Sequence, residues 1–331
     1  MSRIIFVPQF PTRMRYPEWW FWKLPTEFAN AGFSVVILGE KYLESINVRV
    51  DSALANGNFA PNNRAIEFET SQINEYMTME VRDDDILFLA DLSFPGLFAN
   101  ILHHKKPYKM KAYAFCHATS LNDYDYFSKV RHSKFPVEAA QTMMFENIFV
   151  GSHYHYNKLA ATDRWPSGKT KVVGLPMPPE RVIHPVPIKK NRFIISTSRP
   201  SIQKVDTEIE DAVMARYNTL IGRQLYLTWQ DYCVALSESR VLLVTSREET
   251  FGYQVVDAII NGCIPVVPNA FSYPELIPNQ YRYSNLEELF NILDRINMGE
   301  LGVPELLCKT RINNFYDNII QIMKGVRKHP F

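Results

Sequence analysis

The chain has 331 residues, 46% of them hydrophobic, with 36 Lys and Arg against 35 Asp and Glu and a net charge of +1. That length can bury two cores of ordinary domain size, and the charge balance makes no global demand for a polyanionic partner. No apolar run approaches the length of a membrane span, and the opening MSRIIFVPQF reads as a strand rather than a signal peptide.

In chain order, residues 3–8 are predicted as a first strand, and a long loop carrying Trp19, Trp20 and Trp22 leads into a helix ending near Gly32. Further strands are predicted at 34–38, 86–90, 112–116 and 148–150, with a helix over 137–147 before the last of them. Residues 171–173 close a first domain, and the stretch GLPMPPERVIHPVPIKKNR, with its five prolines, reads as an interdomain linker. A second domain starts at Phe193, and 306–326 reads as a terminal helix. Alternating strands and helices imply an α/β chain with two doubly wound domains, 1–180 and 190–311, with 312–331 returning to the first.

The cysteines Cys116, Cys233, Cys263 and Cys308 have no CxxC spacing. Cys116 and Cys263 sit in apolar runs, the pattern of reduced core thiols in a cytoplasmic protein. Asp83-Asp84-Asp85 reads as the solvated entry to the strand ILFLADL, and Asp123-Tyr124-Asp125 has no neighbouring ligands, so no metal is assigned.

Residues 246–278, SREETFGYQVVDAIINGCIPVVPNAFSYPELIP, carry the most specific signal. A buried strand, RVLLVTS, runs into an acidic turn, a helix, a glycine and a second apolar strand, which is a βαβ unit. Its turn lies at the carboxyl end of a strand, where open α/β sheets bind ligands. The helix from Gly252 points its first amides and positive dipole end at that turn. Gly252 permits close approach to the backbone at Phe251, Glu249 can accept bonds from sugar hydroxyls, and Asp257, eight residues on, can grip vicinal hydroxyls. Taken singly, such an acid is equally readable as the N-cap of a solvated helix. A second segment, FIISTSRPSIQKVD, places Arg199 and, five residues later, Lys204 after a strand. Two cations there can neutralise a diphosphate and stabilise it as a leaving group. In the first half, KAYAFC reads as a strand with His117 at its end.

The acidic turn and the Arg-x4-Lys loop, in this order, resemble the signatures of retaining GT-B glycosyltransferases of family 4, with Asp257 standing where the family has a second Glu. The stretches NGCIPVVPNAFSYPELIP, YRYSNLEELFNIL, AFCHATS and VGSHYHYNKL are similar to those of tRNA-queuosine mannosyltransferases, and phage DNA-base glycosyltransferases share the broad class. The resemblance implies a GT-B fold, two Rossmann-like domains across a cleft with a terminal helix crossing back. It implies retaining transfer from a nucleotide-sugar, by default a UDP-sugar, without a metal. Arg199 and Lys204 would hold the diphosphate, Glu249 with the backbone at Phe251 and Gly252 the sugar, Asp257 the ribose, and His117 the sugar from the other domain.

Three departures qualify this reading. The loop FPTRMRYPEWW lacks the family's paired glycines, with Arg13 or Arg15 as their replacement. Only about 35 residues separate Lys204 from the strand at Arg240, too few for two further βα units. The second acid is one methylene shorter. For the acceptor, residues 103–171 hold eleven Lys or Arg against five acids, plus six His and interleaved aromatics. That is what a nucleic-acid surface needs, and equally what a solvated face shows. The leading acceptor is therefore a modified nucleobase in DNA or tRNA, flipped out of its stack with the tryptophan cluster as a possible lining. A surface glycan or small molecule, a nucleotide-sugar epimerase or hydrolase, and a non-catalytic nucleotide-sugar binding module are the alternatives.

Overall fold

The computed structural model describes residues 2–47, 63–93, 95–107, 109–125, 127–179, 190–198, 204–217, 219–221 and 228–325. The chain divides into two compact units. Unit 1 holds Met1–Gly151, His155–Val173 and Asn314–Phe331, and unit 2 holds Ser152–Tyr154 and Gly174–Asn313.

Unit 1 is built from β1 (Arg3–Val7), α1 (Tyr16–Asn30), β2 (Ser34–Ile37), α2 (Glu40–Ser45), α3 (Asn63–Thr78), β3 (Ile86–Leu89), α4 (Leu102–Lys105), β4 (Lys111–Phe115), α5 (Arg131–Gln141), β5 (Asn147–Val150), α6 (His153–Ala160) and β6 (Thr170–Val172). Its six strands form a wholly parallel sheet in the order β2-β1-β3-β4-β5-β6. A parallel sheet covered on both faces calls for near-continuous apolar runs, and ILFL, with RIIFV, KAYAF and NIFV after their polar first residues, supplies them. One face is aromatic: Phe88 stacks on Phe149, with ring centroids 6.1 Å apart, and Phe28 of α1 meets Phe88 edge-on at 5.2 Å. The other face is aliphatic, with Ile5, Leu87, Ala112 and Ile148 in one buried cluster with Tyr76 of α3 and Phe135 of α5.

The tryptophans lie in α1 itself rather than in a loop before it. Pro17 occupies the first turn, where its missing N–H costs nothing, so the helix begins earlier than the loop reading allows. Trp19 and Trp20 are each only 2% exposed, so they serve the core and do not line a base pocket. The helix expected at 137–147 begins instead at Arg131, because a 3₁₀ turn at Ser128–Val130 runs into it and Pro136 sits inside it.

Unit 2 contains β7 (Arg192–Ser196), α7 (Thr207–Arg216), β8 (Thr219–Ile221), α8 (Trp229–Ser237), β9 (Ser239–Leu243), α9 (Tyr253–Ile260), β10 (Ile264–Pro268), β11 (Arg282–Tyr283), α10 (Leu286–Met298) and α11 (Lys309–Asn313). Its parallel sheet runs β11-β10-β9-β7-β8. The order places β7 directly beside β9, in register Ile194↔Val241 and Ile195↔Leu242. Side-chain caps start three helices: Asp206 for α7, Thr228 for α8 and Asn285 for α10.

The terminal helix is split. After α11 in unit 2, α12 (Phe315–Met323) belongs to unit 1, where Phe315 is fully buried between Trp20 (5.7 Å) and Phe115 (6.1 Å). Lys324 then donates to the Ala31 carbonyl at the end of α1, at 2.9 Å. The C-terminal helix therefore does return to the first domain.

Candidate active site

The loops after β7 and β9 leave the same edge of one sheet from adjacent strands, which is why Lys204 and Glu249, 45 residues apart in sequence, meet. The Lys204 ammonium donates to Glu249 Oε2 at 2.5 Å, with side chains 12% and 17% exposed. Two more contacts tie the loops. The Asp206 amide donates to Thr245 Oγ1 (3.0 Å), and the Arg247 guanidinium forks onto Asp206 Oδ2 at 3.1 and 3.2 Å.

The other Glu249 oxygen accepts from the Thr250 and Phe251 amides at 3.1 and 3.3 Å, just before α9. Burial alone would raise this carboxyl. Lys204, followed by the Phe251 and Thr250 amides, outweighs burial and holds it below its ordinary value. The turn is braced from behind, because Ser272 Oγ donates to Phe251 O at 2.8 Å and Ser152 Oγ to Thr250 O at 2.5 Å. Gly252 precedes α9 at φ +99, and a Cβ there would stand 3.0 Å from Leu276 Cδ1 and 3.1 Å from Tyr273 Cε1. Both the conformation and the space therefore call for glycine.

Asp257, about one turn along α9, is 9% exposed and accepts a 3.1 Å hydrogen bond from the Tyr232 hydroxyl of α8. Burial pushes its carboxyl up to about 7, against the lowering effect of Tyr232. Tyr232 is a partner that the sequence reading missed. An aromatic on an amphipathic helix 25 residues earlier carries no local signal of pairing with an acid. Arg199 lies outside the described residues. Its neighbour Ser198 reaches Gln254 in the first turn of α9 at 3.4 Å, so the strand leading to Arg199 ends beside that helix.

His117 and Arg13 belong to unit 1. The His117 ring is stacked between Tyr16 (4.3 Å) and Phe115 (4.4 Å), with Trp20 edge-on at 4.8 Å. Its Nε2 lies 3.1 Å from the Ala90 carbonyl, and a carbonyl only accepts, so Nε2 carries the proton and Nδ1 is left as an acceptor. Burial, with a contribution from His155, lowers its pKa to about 3, so the imidazole is neutral at physiological pH. The loop beyond it is held by Glu138, fully buried, whose Oε2 accepts from the Ser120 amide (3.1 Å) and hydroxyl (2.7 Å). Arg13 lies half-buried in the turn from β1 to α1. There Met14 takes the positive φ of 60 that a glycine would otherwise supply, and its amide donates to Glu18 at 2.8 Å.

The basic segment does not form one patch. Lys105 spends its ammonium on the Met77 and Met79 carbonyls, just before β3, and Lys169 on the Phe145 carbonyl, just before β5. Together with Lys111 at the start of β4, these lie at the amino ends of the strands, away from the end that carries His117. Lys129, Arg131 and Lys134 come directly after the His117 loop, and Arg131 is paired with Asp123 at 3.0 Å. Tyr108 and Tyr126 lie outside the described residues. Among the described residues, no three His, Cys, Asp or Glu gather as a metal site. Asp85 is instead held by Arg3 at 2.6 Å, and all four cysteines are buried and in no disulfide.

No family model matches the chain. A tRNA-queuosine alpha-mannosyltransferase of Drosophila melanogaster is 25% identical over 126 residues, which is 38% of this chain and 32% of that protein. The chain thus matches about a third of that relative's length. Solved structures agree over far more of it. The apo lipopolysaccharide outer core galactosyltransferase WaaB superposes with a TM-score of 0.63 at 14% identity, covering 98% of this chain and 99% of that one. Sucrose-phosphate synthase from Thermosynechococcus elongatus gives 0.60 at 14% identity, covering 98% of each chain. A TarM variant from S. aureus in complex with UDP, fondaparinux and alpha-GlcNAc-glycerol gives 0.54 at 16%, covering 77% of this chain and 58% of that one. The fold is the α/β GT-B fold of glycosyltransferases, with parallel sheets in both units.

Proposed function

We propose that this protein is a retaining glycosyltransferase, transferring a sugar from a nucleoside-diphosphate donor to a hydroxyl on a modified nucleobase in tRNA or DNA. The observation that carries this reading is the Lys204–Glu249 pair at the mouth of α9, with Glu249 resting on the Thr250 and Phe251 amides. A cation, a fixed carboxylate and helix-start amides on adjoining loops suit a diphosphate leaving group and the sugar beside it. UDP is the default carrier, in keeping with the UDP bound by the TarM structure.

Lys204, with Arg199, would stabilise the departing diphosphate. Glu249 and the backbone at Phe251 and Gly252 would hold the sugar hydroxyls, and Asp257 the ribose. The acceptor oxygen attacks the anomeric carbon on the face from which the diphosphate leaves. The carbon–oxygen bond to the diphosphate breaks with its electron pair going to the phosphate oxygen, which takes the acceptor's proton. The protein's contribution is positioning and charge stabilisation. His117, neutral with Nδ1 open as an acceptor, suits a sugar hydroxyl that donates to it. Arg13, in the β1–α1 turn, would take the place of the family's glycines beside the donor. The tRNA-queuosine activity of the Drosophila relative supports a nucleobase acceptor, with the cations at Lys129, Arg131 and Lys134 as its phosphate contacts.

The test is mass spectrometry of nucleosides released from bulk tRNA and from hydroxymethylated DNA after incubation with the protein and UDP-, GDP- and ADP-sugars. A nucleoside heavier by one hexose or pentose supports the proposal and identifies the acceptor. Unchanged nucleosides, with donor consumed only when small glycans are added, move the acceptor to carbohydrate. Donor bound without turnover under every condition makes the protein a binding module.

A further inference from the structure

At the carboxyl ends of β1 and β3, within unit 1, lies a cavity of about 20 Å³. Its wall includes Gln9, Asp91, Glu69 and Gln72, with Phe68 and Phe98 closing its sides. Gln72 is spent, since its amide donates to the Pro8 and Leu38 carbonyls at 2.9 and 3.1 Å. Asp91 accepts from Gln9 (2.5 Å) and from the Ser93 amide (3.1 Å). Glu69, 7% exposed, uses Oε1 for the Leu97 and Phe98 amides, both at 2.9 Å. Its Oε2 is buried and makes no hydrogen bond among the described residues. Among the described residues, no Lys or Arg lines the cavity. Lys134, whose field reaches Glu69, has its ammonium over the Phe127 ring at 4.8 Å.

A buried oxygen without a donor costs free energy, and two carboxyl groups sharing one small wall make that cost larger. A ligand group that relieves both must donate several hydrogen bonds, carry positive charge and be no larger than a water molecule. We propose that this cavity is a subsite for a single primary ammonium group, free or carried at the end of a substrate. Its N–H donors match Glu69 Oε2 and the Asp91 carboxylate, and its charge balances theirs. Burial lifts both carboxyl groups, and for Asp91 the fields of Asp125 and Glu138 add to that. The site is independent of the transfer reading, because it lies in unit 1 and uses none of the donor-loop residues.

The test is thermal unfolding of the full chain at constant ionic strength in ammonium, methylammonium and tetramethylammonium chlorides, and in glucosamine against glucose. The midpoint is expected to rise with ammonium and methylammonium but not with the quaternary ion, which is too large. In Glu69→Gln the apparent affinity should weaken about tenfold or more. A larger shift with glucosamine than with methylammonium assigns the amine to a substrate, and an equal or smaller one to free ammonium. Identical midpoints in all three chlorides, or an ammonium effect that survives in Glu69→Gln, overturn the proposal. Asp91→Asn, read the same way, replaces Glu69→Gln if the latter does not fold.

Discussion

Lys204 and Glu249 form a 2.5 Å ion pair between two loops, so the proposed diphosphate cation and the proposed sugar carboxylate are one electrostatic unit. On that proposal, a diphosphate reaching Lys204 would join a charge already shared with Glu249.

Lys204→Met should therefore lower kcat by roughly 10²–10³-fold, the range for losing one donor to a developing anion. Steady-state kinetics with the donor found by mass spectrometry is the measurement, and near-normal kcat removes the role. The same variant makes a pH prediction. In the wild type Glu249 sits below its ordinary value of 4.5, so its stabilisation is present above that pH and fades as pH falls through the folded value. Without Lys204, burial dominates and the carboxyl rises, so the variant should gain stability on acidification from neutral. Urea unfolding from pH 7 to 4 reads the change of sign.

Asp257 carries the opposite linkage in the wild type. Its folded pKa of about 7 lies above the ordinary 3.8. Its contribution is complete below 3.8 and is lost as pH rises to about 7. Asp257→Asn, which can still accept from Tyr232, should be more stable than wild type at pH 8, by up to on the order of 4 kcal/mol, and equal to it near pH 3.5. If Asp257 also grips the ribose, the same variant binds donor more weakly. Chemical unfolding at the two pH values and donor titration separate these effects.

Gly252→Ala should lower stability by about 1–3 kcal/mol, because φ +99 strains any side chain and the new Cβ meets Leu276 and Tyr273. The denaturant midpoint reads it, and an unchanged midpoint would mean that the turn relaxes.

His117 offers a kinetic signature. With its pKa near 3, the wild-type rate should show no inflection from this residue between pH 5 and 8. His117→Ala should lower activity by a constant factor across that range. A wild-type inflection that vanishes in the variant would show that the imidazole titrates.

The strands, the strand-end placement of Lys204 and Glu249 and the returning terminal helix were legible because each rests on local pattern, such as the continuous apolar run ILFL. The start of α1 was misplaced because its bulky tryptophans imitate a loop, while Pro17 in the first turn was the stronger signal. Tyr232 on Asp257, Arg247 on Asp206 and the Glu69 cavity were not legible. Each depends on which strands and helices become neighbours, and nothing in the spacing of the residues records that. The basic segment misled for the same reason, since Lys105 and Lys111 are close in sequence to His117 but stand at the opposite end of the strand.

Among the described residues, β8 stands at the margin of the second sheet, bonded to β7 alone, and that place has an evolutionary consequence. The chain between Lys204 and β9 can lengthen or shorten there without parting the two strands that bring Lys204 to Glu249. The two loops are thus insulated from insertions and deletions in the segment between them, and a lineage could trim or elaborate that margin while the charged pair stays in register.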